Sequence, residues 1–272
     1  MKAQNLFLLM LVIILSSTRV DAMDDDAPCP RIISQSPYIT HMLNYLGMGH
    51  CIVGVSRYSK LNLPRTGGIL DPDAEVIASL DPDLFITSAW TSQSTLEKIT
   101  PKDTKSLRLS SFNSMDQLES NMADVIKLTG WDHSQKKVDD FSSQWRSKLK
   151  LLNGNNIKVL LLSSCSGQAY SFGPDSRLYD LFSQAGFDVV ETGKKIRHIQ
   201  PGQEIESLNT LLDRYQPNLL FVFEQKMKKR CQLLTPKLPV RILTLNGRQF
   251  LHPTTEILDG LDSLSKKKHY WQ

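Results

Sequence analysis

Six histidines and four cysteines are the residues of this chain best suited to hold a metal or attack a substrate. His41, His50, His133, His198, His252 and His269 are scattered, with no pair at i,i+4 and no Cys-x-x-Cys. That spacing argues against a preformed zinc or iron site, since such sites draw their ligands from short fixed intervals. A serine hydrolase would carry Gly-x-Ser-x-Gly, a phosphate binder Gly-x-x-x-x-Gly-Lys, and a zinc protease His-Glu-x-x-His; the chain has none of these. Ser164-Cys165-Ser166-Gly167 follows an apolar run and offers a nucleophile, but it lacks the flanking glycine and an identifiable base. These residues predict a protein that binds rather than one that catalyses.

The chain has 272 residues, with 32 Lys+Arg against 28 Asp+Glu, and is 40% hydrophobic, 22% charged and 8% aromatic. This is globular composition, which excludes wholesale disorder and a coiled-coil rod and suits one large domain or two lobes. The formal charge of +4, with no basic stretch interleaved with aromatics, gives no basis for nucleic-acid binding. Lys2, the apolar run 6–15, and Val20 and Ala22 at the −3 and −1 positions read as a signal peptide cut after Ala22. The run is short for a bilayer span, so a soluble, exported product is expected.

Export changes how the cysteines read, because thiols pair in an oxidising compartment. Cys29 precedes the strand-like run 31–34, and Cys51 precedes the strand-like run 52–55. If those strands are parallel neighbours, both cysteines lie at one sheet edge, and a Cys29–Cys51 disulfide is expected. Cys165 and Cys231 follow other strands and form a looser second pair; four separate thiols are the alternative.

The elements that must position these residues follow a repeated pattern. Strand-like runs at 32–33, 52–55, 84–86, 159–162, 189–190, 219–223 and 242–245 alternate with helical spacing at 38–46, 72–80, 176–184, 208–215 and 255–265. This predicts an α/β fold with parallel sheets and helical crossovers. Gly47 and Gly186 end comparable helices, and the helix-Pro-strand step at 75–86 recurs at 210–221, so two Rossmann-like lobes are expected. Between them, Val138, Phe141, Trp145 and Leu149 make an apolar stripe at spacings of three, four and four. The helix they define would run about 28 Å, long enough to bridge two lobes and stiffer than a coil. The predicted domains are a leader 1–22, an N-terminal lobe 23–130, an inter-lobe backbone helix 131–153 and a C-terminal lobe 154–272.

Arg31-Ile32-Ile33-Ser34-Gln35-Ser36-Pro37, then Leu46-Gly47-Met48-Gly49, then Val53-Gly54-Val55-Ser56-Arg57-Tyr58 resemble the opening of the helical-backbone periplasmic binding proteins. These are the cobalamin and iron-siderophore receptors of ABC importers. Gly67-Gly68, Glu75, Leu80-Asp81-Pro82-Asp83-Leu84, Phe172-Gly173, Ala185-Gly186 and the closing stretch 253–264 continue the resemblance along the whole mature chain. It implies a monomer that captures a bulky ligand between two lobes, cobalamin first and a ferric siderophore or haem-like molecule second, and delivers it to an ABC permease, with no intrinsic cofactor. A solo carrier with a non-ABC partner is the alternative.

In open parallel sheets, ligands bind beyond the carboxyl ends of the strands. Those ends carry Ser36, Pro37, Tyr38, Tyr58, Trp90, Tyr170, His198 and Arg248. The aromatics would give flat walls with polar tips, suited to a corrin. Arg57, Arg197 and Arg248 would instead clamp the acidic groups of an iron chelate. The resemblance supports Tyr58, Trp90 and Tyr170 most directly. It also implies one acidic docking residue per lobe. Glu75 fills that place seven residues before Pro82, but Thr210 stands seven before Pro217, leaving Glu204 or Glu206 as substitutes.

Overall fold

The computed structural model describes residues 29–163, 169–193, 195–224 and 239–272. The expected leader, Cys165 and Cys231 lie outside the described residues.

The first half builds β1 (Ile32–Ser34), α1 (Pro37–Tyr45), β2 (Ile52–Val55), α2 (Ala74–Ser79), β3 (Leu84–Ser88), α3 (Gln93–Ile99) and β4 (Lys105–Leu109). Its four strands are all parallel, in the order β2-β1-β3-β4. Ile32, Ile33, Phe85 and Ile86 are fully buried, as strands covered on both faces require. Ser36 caps α1 with Pro37 at the first helical position, and Asp73 caps α2 by accepting from the Glu75 and Val76 N–H groups.

Two long helices follow, α4 (Met115–Thr129) and α5 (Gln135–Leu152). The predicted stripe Val138, Phe141, Trp145 and Leu149 is buried along α5, with Leu152 added at its end. Trp145 also donates its indole N–H to Glu119 on α4, and the Arg146 guanidinium pairs with the same carboxylate. One apolar core runs from the first sheet through these helices into the second sheet.

The second half contains β5 (Lys158–Ser163), β6 (Ala169–Phe172), α6 (Arg177–Gln184), β7 (Asp188–Val189), β8 (Ile196–Ile199), α7 (Leu208–Tyr215), β9 (Leu219–Glu224), β10 (Arg241–Asn246), α8 (Gly247–Leu251) and α9 (Ile257–Ser265). The strand order is β10-β9-β5-β6-β8, with β7 also pairing β5. This sheet is mixed, which corrects the expectation of two parallel sheets: β6 runs antiparallel to both β5 and β8. Only five positions separate the end of β5 from the start of β6, too few for the helical crossover that a parallel pair requires.

The repeat is visible at two kinds of cap. Gly47 and Gly186 have φ of 86° and 85°, the left-handed backbone that glycine adopts without penalty. The residue after each donates to the last helical turn, Met48 to Leu43 O and Phe187 to Phe182 O. Asp81 and Gln216, both at φ 44°, precede Pro82 and Pro217.

Cys29 and Cys51 stand together as a disulfide pair in this structure, with Cα atoms 5.6 Å apart, within the span such a bond requires. Their closeness follows from the parallel β1–β2 pairing, which sets Ile32 opposite Ile52. Among the described residues no helix is long and apolar enough to cross a membrane.

Candidate ligand-binding cleft

A cavity of about 600 Å³ opens beyond the carboxyl ends of β1, β2 and β3 and is closed on the far side by β6, α6 and α8. Ser36, Pro37, Tyr38, Tyr58, Trp90 and Tyr170 all line it, so six of the eight expected site residues meet there. Tyr58 and Trp90 are 60% and 67% exposed, an unusual state for large aromatics with no partner to cover. Tyr170 packs edge-on against Phe172, their centroids 5.3 Å apart, and Phe112 adds a further apolar wall.

The other two expected residues stand elsewhere. Arg248 lines a neighbouring cavity of about 1010 Å³ that shares Pro37, Tyr38, Tyr58 and His252 with the first. His198 faces Tyr170 across the β6–β8 pair, ring centroids 6.3 Å apart, but it is exposed and lines neither cavity. The antiparallel β6–β8 pair, absent from the sequence reading, is what carries it to the sheet edge.

None of the three arginines expected to clamp an anion is free of a carboxylate. Arg57 pairs with Asp71 at 2.5 Å, and Arg248 with Glu256 at 3.0 Å. Arg197 pairs with buried Glu191 at 3.0 Å and also with Glu204. Burial pushes the Glu191 carboxyl up, yet hydrogen bonds from Ser171 Oγ, the Gly193 N–H and Arg197 together hold it below its usual range. This network fixes β6 against β8.

The cation the cleft does present was not singled out from sequence. Arg177 is the first residue of α6, is 6% exposed and lines the cavity. Its Nη2 donates to Phe250 O at 2.9 Å, while Nη1 has no hydrogen-bond partner among the described residues. Burial pushes its pKa down to about 10, against the opposing influence of Tyr38 and Asp180, so it stays charged at neutral pH. One signal was available: a cation in the first turn of a helix opposes the macrodipole, and such a placement asks for another reason.

His252 was also passed over. Its Nδ1 and the Tyr38 hydroxyl share a hydrogen bond of 3.1 Å that joins the two halves across the cleft. Burial first, then the nearby Arg177 charge, lowers the His252 pKa, and burial raises that of Tyr38. At the rim, Lys195 Nζ donates to Asn113 Oδ1 at 2.6 Å. Around the cleft the halves are further tied by the Met115 N–H, which donates to Asp180 Oδ2 at 3.0 Å.

The two expected docking positions are on the surface. Glu75 is exposed in the first turn of α2. Thr210 is exposed on α7, and Glu204 is held by Arg197 and Arg214. Glu206 is exposed and makes no ion pair among the described residues.

No family model matches the chain. A petrobactin-binding protein of Bacillus subtilis is 26% identical over 198 residues, 67% of this chain. The match spans 60% of that relative's length. Among solved structures, the periplasmic vitamin B12 binding protein of Vibrio cholerae superposes with a TM-score of 0.70 at 20% identity, covering 89% of this chain and 97% of that one. A periplasmic heme binding protein of Pseudomonas aeruginosa gives 0.67 at 18% identity, over 90% and 93% of the two chains. The periplasmic catecholate-siderophore binding protein of Vibrio cholerae gives 0.67 at 15% identity, over 89% and 94%. These are binding proteins, not enzymes, and they bear out the resemblance read from the sequence. The chain shares the two-lobed, helical-backbone fold of the periplasmic substrate-binding proteins.

Proposed function

We propose that the protein is an exported binding protein that captures one bulky anionic chelate, a ferric siderophore, between its lobes and delivers it to an ABC permease. The observation that carries this reading is Arg177: a buried guanidinium with one carbonyl partner and an unpaired Nη1 in the wall of the cleft. A buried charge with no carboxylate in contact among the described residues costs on the order of several kcal/mol, and an acidic ligand group offsets that cost. Lys195 adds a second cation at the rim, and Tyr58, Trp90 and Tyr170 supply faces for the flat rings of a catecholate. The names of the similar proteins, for petrobactin and for a catecholate siderophore, agree with this class.

Cobalamin is the second reading, favoured by the same three aromatics and by the vitamin B12 binding protein among the neighbours. Its corrin rim is neutral amide and its one anionic group is a phosphodiester, against the several acidic groups of a ferric chelate, which is why the chelate is preferred. In either case the metal arrives with the ligand and no cofactor is intrinsic. The leader 1–22, lobes 23–130 and 154–272 with the helix 131–153 between them, periplasmic location and monomeric state are parts of the same proposal. Permease docking is assigned to Glu75 and Glu206, whose exposed carboxylates make no ion pair among the described residues; rim charges of this kind chiefly steer and orient association. Thr210 at the second position keeps a carrier with a non-ABC partner as the alternative.

The test is titration calorimetry of the oxidised protein with ferric catecholate and carboxylate chelates, haem, cobalamin and bare Fe³⁺ or Zn²⁺. One equivalent of an anionic ferric chelate should bind tightly. Binding of cobalamin alone would replace the first reading with the second, and binding of none of the large ligands would overturn both.

A further inference from the structure

We infer that Cys29, Cys51 and His50 have a second, mutually exclusive state: with the disulfide reduced, they form a three-ligand site for a soft metal ion of the Zn²⁺ or Cu⁺ class. The three ligand atoms lie within 4.8 Å of one another. His50 stands beside Cys51 in the short turn 49–51, with its Nε2 3.8 Å from Cys51 Sγ. In a tetrahedral site with metal–sulfur bonds of about 2.3 Å and metal–nitrogen bonds of about 2.0 Å, the sulfur–nitrogen edge is roughly 3.6 Å. The imidazole therefore already stands near ligand distance from Cys51 Sγ, and Cys29 Sγ, within 4.8 Å of it, has to part from Cys51 Sγ to admit the ion.

The backbone keeps them in reach when the bond is broken. The β1–β2 pairing fixes Ile32 against Ile52, and the Cys51 N–H donates to Met48 O at 3.1 Å. The His50 ring is also seated on Trp131, centroids 5.9 Å apart. His50 is exposed and Cys29 half-buried, so a reductant and an ion have access, and the fourth coordination position faces water. Two thiolates and an imidazole select soft or borderline ions over Mg²⁺ or Ca²⁺.

The chemistry balances in two steps. A dithiol reductant gives two electrons and two protons to the disulfide, forming two thiols and its own disulfide. The ion then displaces the two thiol protons and takes both thiolates and the neutral imidazole, so binding tightens as pH rises. Conversely, a bound ion protects the pair from oxidation.

The experiment uses the full chain with Cys165→Ser and Cys231→Ser, so that Cys29 and Cys51 supply the only thiols. After reduction with a phosphine under nitrogen, Co²⁺ titration should give one equivalent with a thiolate-to-cobalt charge-transfer band that Zn²⁺ removes. His50→Ala should weaken binding by about tenfold or more, and the oxidised protein should show no band. Absence of the band, or a band of unchanged affinity in His50→Ala, overturns the site. Should reduction unfold the chain, the melting temperature decides. Zn²⁺ should restore the transition in the reduced protein and not in His50→Ala; restoration in both, or in neither, contradicts the inference.

Discussion

At the scale of single residues, the cleft combines exposed aromatics with half-buried histidines, and each kind makes its own prediction. Trp90 is 67% exposed and makes few contacts to lose. Trp90→Ala should therefore change the denaturation midpoint little while weakening the cleft ligand about ten- to a hundredfold through lost stacking. Equal affinity in the two proteins would remove Trp90 from the site. His252 and His41 predict a pH dependence of stability. Burial is the main cause that lowers both pKa values, with Arg248 adding to the effect at each and Glu256 opposing it. The unfolded chain therefore binds more protons than the folded one as pH falls below about 6.5. Stability should be full above that value and decline as pH falls toward the lowered folded values. Urea midpoints measured between pH 7.5 and 5.5 should show the decline, and His252→Gln should flatten it; an unchanged slope would contradict the assignment. Site legibility also divides by residue. Ser36, Pro37, Tyr38, Tyr58 and Trp90 could be placed from strand ends, because a parallel strand points its carboxyl end at the ligand, whereas Tyr170 lies on antiparallel β6 and was carried by the resemblance. Arg177 escaped because the apolar pattern Leu178, Leu181 and Phe182 marks α6 as a core helix, and a charged residue beside such a stripe is normally solvated.

At the scale of elements, α5 is the part whose sequence most directly dictated its place. A stripe at helical period has one way to be buried, and Val138, Phe141, Trp145 and Leu149 all are. Trp145 is fully buried, so Trp145→Ala should cost roughly 3–5 kcal/mol. Chemical denaturation would show it; a loss below about 1 kcal/mol, the level of a surface change, would mean that α5 is not a core helix. Helix α7 was readable to the residue because Ser207 caps it and the Gln216-Pro217 pair ends it. Strands β4, β6 and β8 and helices α3 and α8 were not read. They are four to seven residues long, and β4 and β8 lie at sheet edges where alternation is weak. The direction of β6 is a matter of connection length rather than composition, so the residues of the strand itself did not disclose it.

At the scale of the whole molecule, a continuous core and a stiff α5 join the two sheets, and the Met115–Asp180 and Tyr38–His252 hydrogen bonds tie their facing sides. Closing on ligand should be slight. X-ray scattering curves of the apo and loaded protein should nearly superimpose, and a large compaction on loading would indicate a flexible hinge. The central claim is that the cleft selects an anionic chelate through Arg177. The most direct measurement is the affinity of one ferric catecholate chelate and of cobalamin for the native protein, Arg177→Leu and Arg177→Lys, with melting temperature recorded for each. The chelate should bind the native protein far more tightly than cobalamin does. Arg177→Leu should lose about a hundredfold of that affinity while its melting temperature holds or rises, since an unpaired buried charge has been removed, and Arg177→Lys should recover part of the loss. Unchanged chelate affinity in Arg177→Leu, or cobalamin binding the native protein more tightly than the chelate, would contradict the account.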